Sequence, residues 1–409
     1  MNFSFFIAKR IIFNTQPSFS RFIIRLAVAA TALSVAAMTI TLSMVNGFQK
    51  AVSEKVWSFW GNIRVQSLEP VRSMVSEEGS FTRSSNIETM LRQNPGVAHY
   101  NSFAIKSIVL KTKENFEGVL LKGVDENFST KAFAPFLKKG HSINFADSGY
   151  SNDILLSEHT ASQLNVQPGD TINCYFIRGA EDIRSRPLVL SGVYKTGIED
   201  YDNSFVLADI RFLRRLNLWD STEIGGYEAW IKPGFDSDTV ATQINARLPQ
   251  GLSGKSIQKI YPNIFDWLAI QDQTKKIVLI VMILVAVINL VTCLLILVME
   301  RTRMVGVLKA VGMSNSNIQT IFWYYAGWIA LTGIGLGLLI GLGICWIQQF
   351  TGLVKMDEAT YYVSVMPVHI VWWQILLVAT GSFIICFLAL RLPLLFVKTI
   401  SPVKAIRFK

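Results

Sequence analysis

The sequence predicts a membrane α-helical protein with four transmembrane helices and one large α/β extracytoplasmic domain. Three observations predict it. Four apolar stretches lie near residues 22–46, 277–299, 318–347 and 369–397. A polar block, 48–276, separates the first from the second and holds 26 Lys+Arg against 26 Asp+Glu. The net charge of +10 therefore sits entirely in the short segments that flank the apolar stretches. Lys and Arg in short loops stay on the cytoplasmic side during insertion. Both flanks, the 300–315 segment and the tail are thus placed inside, and the neutral block outside.

Each element follows from the same rules. Residues 1–21 combine aromatic and aliphatic bulk in 3–13 with Lys9 and Arg10, and read as an interfacial helix. Asn14 to Ser18 includes Pro17 and separates it from the first span, 22–47. A span needs about 20 mostly apolar residues. Leu26 to Val45 meets this with many small side chains, and Ile277 to Met299 with only Asn289, Thr292 and Cys293 interrupting. The second span is 275–299, the third 316–347 and the fourth 369–397, with a short outer loop at 348–368 and an inner tail at 398–409. The first stretch is longer than the core of a cleaved signal peptide. The hydrophobic share of 51% agrees with a membrane chain. The basic excess lies beside the spans, where insertion explains it, so a nucleic-acid role is excluded. Cys174 stands alone in the outer block, which must therefore fold on its own core.

The block 48–274 reads as α/β. Asn62–Gln66 alternates as a half-buried strand does. Ser107–Lys111 and Gly118–Val124 read as a hairpin across Thr112–Asn115. Asn86–Arg92, Ser157–Leu164 and Thr239–Arg247 read as helices. Asp170–Phe176 and Leu188–Tyr194 read as a strand pair, with Ile177–Pro187 as its protruding tip. In the third span, Gly333, Gly337 and Gly341 share one helix face. Such a face admits a second helix backbone, within the subunit or across a dimer.

Nothing argues for catalysis. Gly254-Lys255-Ser256 ends like a phosphate-binding loop, but Pro249 occupies the position that needs the first glycine. His99, His141, His159 and His369 lack metal-ligand spacing. Asp200 and Asp202 around Tyr201 read as a solvated turn. The expectation is a non-enzymatic chain with no cofactor of its own and no bound metal.

The most specific segment is Glu300–Ser314. Met304, Val307, Leu308 and Val311 recur at helical spacing, Arg301, Arg303 and Lys309 add cations, and Gly312 suits a left-handed helix end. Lying on lipid or docking on a protein are both open to such a helix. Here the chain resembles the FtsX/MacB-type ABC transporter permease superfamily. Glu300, Arg301, Gly306, Lys309, Ala310 and Gly312 match its motif, Val305 replaces the usual isoleucine, and Met304 replaces a common acidic residue. The resemblance is nearest to lipoprotein-releasing permeases of the LolC/LolE type. It is carried by Asn46-Gly47-Phe48, by Tyr362–Val368 and by Ser401–Arg407.

That resemblance implies a MacB-like periplasmic core and an inner-membrane location in a Gram-negative-type bacterium. It implies that Glu300, Arg301, Arg303, Gly306, Leu308, Lys309 and Gly312 couple to a separate LolD-like ATPase, which would bind ATP and Mg. A second permease subunit, identical or related, would complete the membrane part. The cargo implied is a lipoprotein, extracted from the membrane and passed to a LolA-like periplasmic carrier. Its cavity would be lined by Met38, Leu42, Val45, Phe48, Ile264, Phe265 and Leu268. Carrier contact falls on the tip, at Arg178, Asp182, Ile183 and Pro187. The tip reads as shorter than the family's hook, so carrier recruitment stays open. Two alternatives remain: a MacB-like tripartite exporter module, and an FtsX-like scaffold that activates a cell-wall hydrolase.

Overall fold

A computed structural model describes residues 3–13, 19–68, 79–128, 130–145, 149–178, 182–389 and 391. Two compact units divide the chain. One comprises 1–50, 267–355 and 365–409, the other 51–266 and 356–364.

In chain order, α1 (Phe3–Phe13) precedes α2 (Phe19–Trp60). The α/β elements begin with β1 (Ile63–Ser67), β2 (Phe81–Thr82), α3 (Ser85–Gln93), β3 (Val97–Lys111) and β4 (Phe116–Val124). Then come α4 (Thr130–Phe133), β5 (Leu137–Gly140), β6 (Asp153–Ser157), α5 (Glu158–Leu164), β7 (Thr171–Arg178) and β8 (Asp182–Tyr194). The unit continues with α6 (Glu199–Ser204), β9 (Phe205–Asp209), α7 (Ile210–Asn217), β10 (Glu223–Ile224), β11 (Gly226–Ile231), α8 (Ser237–Asn245), β12 (Leu252–Ser256) and α9 (Ile257–Ile260). Next are α10 (Pro262–Glu300), α11 (Thr302–Ala310), α12 (Asn315–Thr351), α13 (Glu358–Tyr361) and α14 (Trp372–Ala389). Four of these helices, α2, α10, α12 and α14, are long and apolar enough to cross a membrane.

The α/β unit is built on one mixed sheet in the order β12-β1-β11-β3-β4-β9-β6-β8-β5. Long β3 is its hub: it pairs antiparallel with β11 and β4, and its far end also pairs with β7. Among the described residues only β4–β9 and β6–β8 are parallel. Side-chain caps start three of the helices. Ser157 caps α5 by accepting from the Thr160 amide at 3.0 Å. Asp209 caps α7 through the Arg211 amide at 2.9 Å, and Asp236 caps α8 through the Thr239 amide at 2.9 Å. The buried faces of these helices join Leu121, Leu156, Leu190 and Val206 of the strands in one core.

A row of charge runs through that sheet. Arg64 lies opposite Glu228, and Glu228 opposite Asn101, on neighbouring strands. Lys122 Nζ meets Glu228 Oε1 at 2.8 Å with both side chains fully buried. Lys122 also donates to the Phe59 carbonyl and stands 4.3 Å from the Trp60 ring centroid. Phe59 and Trp60 end α2 inside an aromatic cluster with Tyr201, Phe205 and Tyr261.

In the other unit the glycine face finds its partner within the chain. A Cβ on Gly333 would lie 2.8 Å from Thr31 Cβ, on Gly337 2.6 Å from the Ala32 carbonyl, and on Gly341 2.9 Å from Thr39 Cβ. The small side chains of α2 and the missing ones of α12 are thus two halves of one seam. In lipid, where apolar burial supplies little drive, such close approach is a main source of helix affinity.

Three sequence expectations need correction, the first being the solvated turn around Tyr201, since Tyr201 and Asp202 are buried in α6. Helix α2 runs on to Trp60, past the apolar window that defined the first span. The segment 177–187 is mostly strand: β8 starts at Asp182 and the ladder to β7 continues to Arg178↔Asp182. The pair is therefore one ladder from Thr171↔Val189 to Arg178↔Asp182. The Ser401–Arg407 resemblance and the tail lie outside the described residues.

Because backbone cannot yield, Gly337→Val should open the α2–α12 seam and lower the apparent melting temperature of the detergent-solubilised protein by several degrees. Gly335→Val, where an added Cβ meets nothing within 4 Å, should leave it unchanged. Equal melting of the two variants in a thermal-shift assay would refute the seam.

Candidate functional site

The segment between α10 and α12 forms a tight corner. The chain barely interrupts at Arg301, whose amide still bonds to the Leu297 carbonyl at 3.1 Å. Helix α11 then ends in a Schellman motif. The Gly312 amide bonds to the Lys309 carbonyl at 3.0 Å and the Met313 amide to the Leu308 carbonyl at 2.9 Å. Gly312 has φ +93°, which a side chain would resist. Ser314 follows as the N-cap of α12.

The apolar face predicted for this helix is split. Val305 is fully buried, and Met304, Leu308 and Met313 pack with it on Ile318 and Phe322. Gly306 is buried too. Val307 and Val311 instead stand 54% and 83% exposed, with Arg303 on the same side. Glu300 and Ala310 are exposed as well, while Arg301 and Lys309 are half-buried. The reason is periodicity. Residues 303, 307 and 311 are four apart and share one stripe, which faces away from α12. The arrangement offers an outer stripe of two valines beside cations, held on a hydrophobic footing.

The residues expected to line a cavity are divided between the two units. Met38 and Leu42 are buried in a bundle core with Val35, Ile334 and Val378. Phe48 and Leu268 are buried, and Val45 is half-buried. Ile264 and Phe265 fall in the other unit, buried and half-buried respectively. On the β7–β8 ribbon, Pro187 is exposed and lies opposite Asn173. The side chains of Arg178, Asp182 and Ile183 lie outside the described residues. Beside the ribbon, Arg184, Arg186, Arg215 and Tyr150 border a pocket of about 200 Å³, a grouping of residues far apart in sequence that has no local sequence signal.

Sequence reading also missed a polar junction in the membrane-helix unit. Asn46 donates to Gln374 Oε1 at 2.6 Å and accepts from Lys275 Nζ at 3.3 Å. Lys275 pairs with Asp272 at 2.6 Å, and Gln49 reaches Asp272 at 3.1 Å. A Cβ on Gly47 would lie 2.4 Å from the Pro367 carbonyl, and the His369 amide bonds to the Ser43 carbonyl at 2.9 Å. Asn46-Gly47 and the approach to α14 are therefore one structural feature, joined through α10.

Four apolar helices, a corner helix between two of them and a large α/β domain define a membrane-embedded permease subunit. Comparison with known proteins agrees. The MacB-like periplasmic core domain family model matches residues 26–247, and the FtsX-like permease C-terminal model matches 276–402. The chain belongs to this FtsX/MacB-type family of ABC transporter permeases.

It is 21% identical to the lipoprotein-releasing system transmembrane protein LolC of Xylella fastidiosa over 96% of this chain and 95% of that one. It is equally 21% identical to LolE of Haemophilus influenzae, over 96% of each chain. The periplasmic region of MacB from Actinobacillus actinomycetemcomitans aligns at 14% identity with a TM-score of 0.36, covering 50% of this chain and 92% of that one.

Removing one member of the buried pair strands the other, which costs about 3–5 kcal/mol, whereas apolar replacement of both is near neutral or better. Glu228→Ala and Lys122→Ala should each sharply reduce the urea concentration that unfolds the α/β domain in the intact protein, followed by tryptophan fluorescence. The Lys122→Met/Glu228→Met double variant should recover most of the loss. A double variant as weak as either single one would show that the pair itself, and not its balance, holds the sheet.

Proposed function

We propose that this chain is a membrane subunit of a complex that extracts lipoproteins from the inner membrane and hands them to a soluble periplasmic carrier. A separate LolD-like subunit supplies ATP hydrolysis. The single observation that carries the reading is α11. It presents Val307, Val311 and Arg303 outward while Val305 and Gly306 lock it to the bundle. An apolar stripe with a cationic rim, fixed by a Schellman end, is what a neighbouring protein would press on. The relatives' names point the same way, since LolC and LolE are each described as transmembrane proteins of a lipoprotein-releasing system.

The physical task suits the fold. Each buried CH₂ of an acyl chain holds a lipoprotein in the bilayer by about 0.8 kcal/mol, so extraction needs work from outside the chain. No step requires a nucleophile or metal in this subunit. ATP and Mg would stay with the ATPase, and α11 would receive the displacement. A second permease copy, identical or related, would close the cargo site around α2 and α10. The β7–β8 ribbon is the surface we assign to the LolA-like carrier.

The test uses the complex in vesicles. Arg303→Glu or Gly306→Asp should leave membrane insertion intact and reduce ATP-driven transfer of a labelled lipoprotein to the carrier by about tenfold or more. Unchanged transfer would remove α11 from the mechanism. Co-purification of a cell-wall hydrolase in place of acylated protein would replace the whole reading with a scaffold role.

A further inference from the structure

The membrane-helix unit carries a groove of about 780 Å³ that the function above leaves unused. It runs between α1, α12 and α14. Its walls are aromatic: Phe5 meets Tyr324 edge-on at 5.4 Å, and Trp323 meets Phe387 at 4.0 Å and 88°. Its floor opens at Gly327, where a Cβ would meet nothing within 4 Å. Its two ends differ in chemistry. Along α12 one carries Ser316, Gln319 and Thr320 and the other Trp328 and Leu331, while Lys9 of α1 borders the same groove. The polar end lies beside Ser314 and α11, and the apolar end lies deeper along α12.

The geometry points to an anionic phospholipid of the inner leaflet as the occupant. Dimensions support this. Ser316 to Leu331 spans about 22 Å of helix at 1.5 Å per residue. One leaflet of hydrocarbon is about 15 Å, half of the ~30 Å core, which leaves room for a headgroup at the polar end. Charge supports it too. Lys9 is an exposed cation on the wall of the groove, and a phosphate is the anion that the inner surface offers. The acyl chain would lie along Trp323 and Trp328, whose ring faces and edges suit methylene packing. Because α1 is held to α12 by Ser4 Oγ donating to the Asn317 carbonyl at 3.1 Å, a lipid wedged beside it would fix α1 next to the corner that bears α11. The inference rests on the proposed inward placement of α11.

The test is native mass spectrometry of the intact protein, released from vesicles holding phosphatidylethanolamine and phosphatidylglycerol in equal amounts. The native chain should retain phosphatidylglycerol. Lys9→Glu should lower the ratio of retained phosphatidylglycerol to phosphatidylethanolamine by about fivefold or more, the scale of one surface lysine. Gly327→Phe, which fills the groove, should abolish retention of both lipids. Leu331→Trp at the exposed apolar end serves the same purpose should Gly327→Phe fail to elute as folded protein.

Lipid retention unchanged in both filling variants would overturn the groove. So would disulfide cross-linking of Trp328→Cys between two copies, because a second copy would then cover it. Labelling of Ser316→Cys by an impermeant thiol reagent from the outer side alone would overturn the topology and the leaflet together. Inner labelling with no retained lipid would overturn only the present inference.

Discussion

The buried contact between Lys122 and Glu228 is the constraint on which the α/β unit turns. Burial raises the Glu228 carboxyl above its ordinary pKa, and the Lys122 ammonium opposes that rise. Neither charge is tolerable there alone. The pair also has a third party. Lys122 is held over Trp60 and bonded to the Phe59 carbonyl, so the end of α2 satisfies the lysine while the lysine fixes the end of α2. Arg64, paired opposite Glu228 on β1, also meets Trp60, with its guanidinium 4.9 Å from the ring centroid. A helix terminus that must be rigidly seated in a sheet needs directional contacts as well as apolar bulk, and this one has both.

Further toward its start, α2 obeys a different logic. Its small residues lie against the glycine face of α12, where affinity comes from contact distance alone. Ionic anchoring would be expensive in such a place, and close packing without polar partners would be imprecise in the α/β unit. One helix thus carries two modes of attachment, each matched to its solvent. The junction at Asn46, Lys275 and Gln374 falls between those two stretches of α2. It uses hydrogen bonds where neither lipid packing nor a protein core dominates.

What was legible in the sequence follows from how local the cause is. The four spans were legible because charge and hydropathy act on a window of residues. The β3–β4 hairpin was legible because alternation and a charged turn sit together in 107–124. Gly312 was legible because a left-handed helix end is a property of one residue. The β7–β8 ribbon was truncated because Arg184, Arg186 and Pro187 are exposed. A strand without a buried face has no alternation to read. The end of α2 was missed for a related reason. Gln49, Lys50, Glu54 and Lys55 end the apolar window but not the helix, whose last turns are buried by protein at Val52, Val56 and Phe59. The Lys122–Glu228 pair joins strands on either side of β3, and no window of sequence contains it.

The split face of α11 makes the same point about function. Counting apolar residues at helical spacing finds four, and treats them as one surface. The fold uses Leu308 and Met304 as footing and leaves Val307 and Val311 to face outward. The inner set holds the helix down, and the outer stripe keeps its place because of it. The Schellman end adds stiffness at the far side without a charged partner. Lys195 holding Glu358 at 3.0 Å, with Lys55 bonded to the Tyr362 carbonyl at 2.6 Å, gives the 357–362 loop an equally firm seat on the α/β unit. Both short connections are therefore anchored segments, each held by contacts within its own unit.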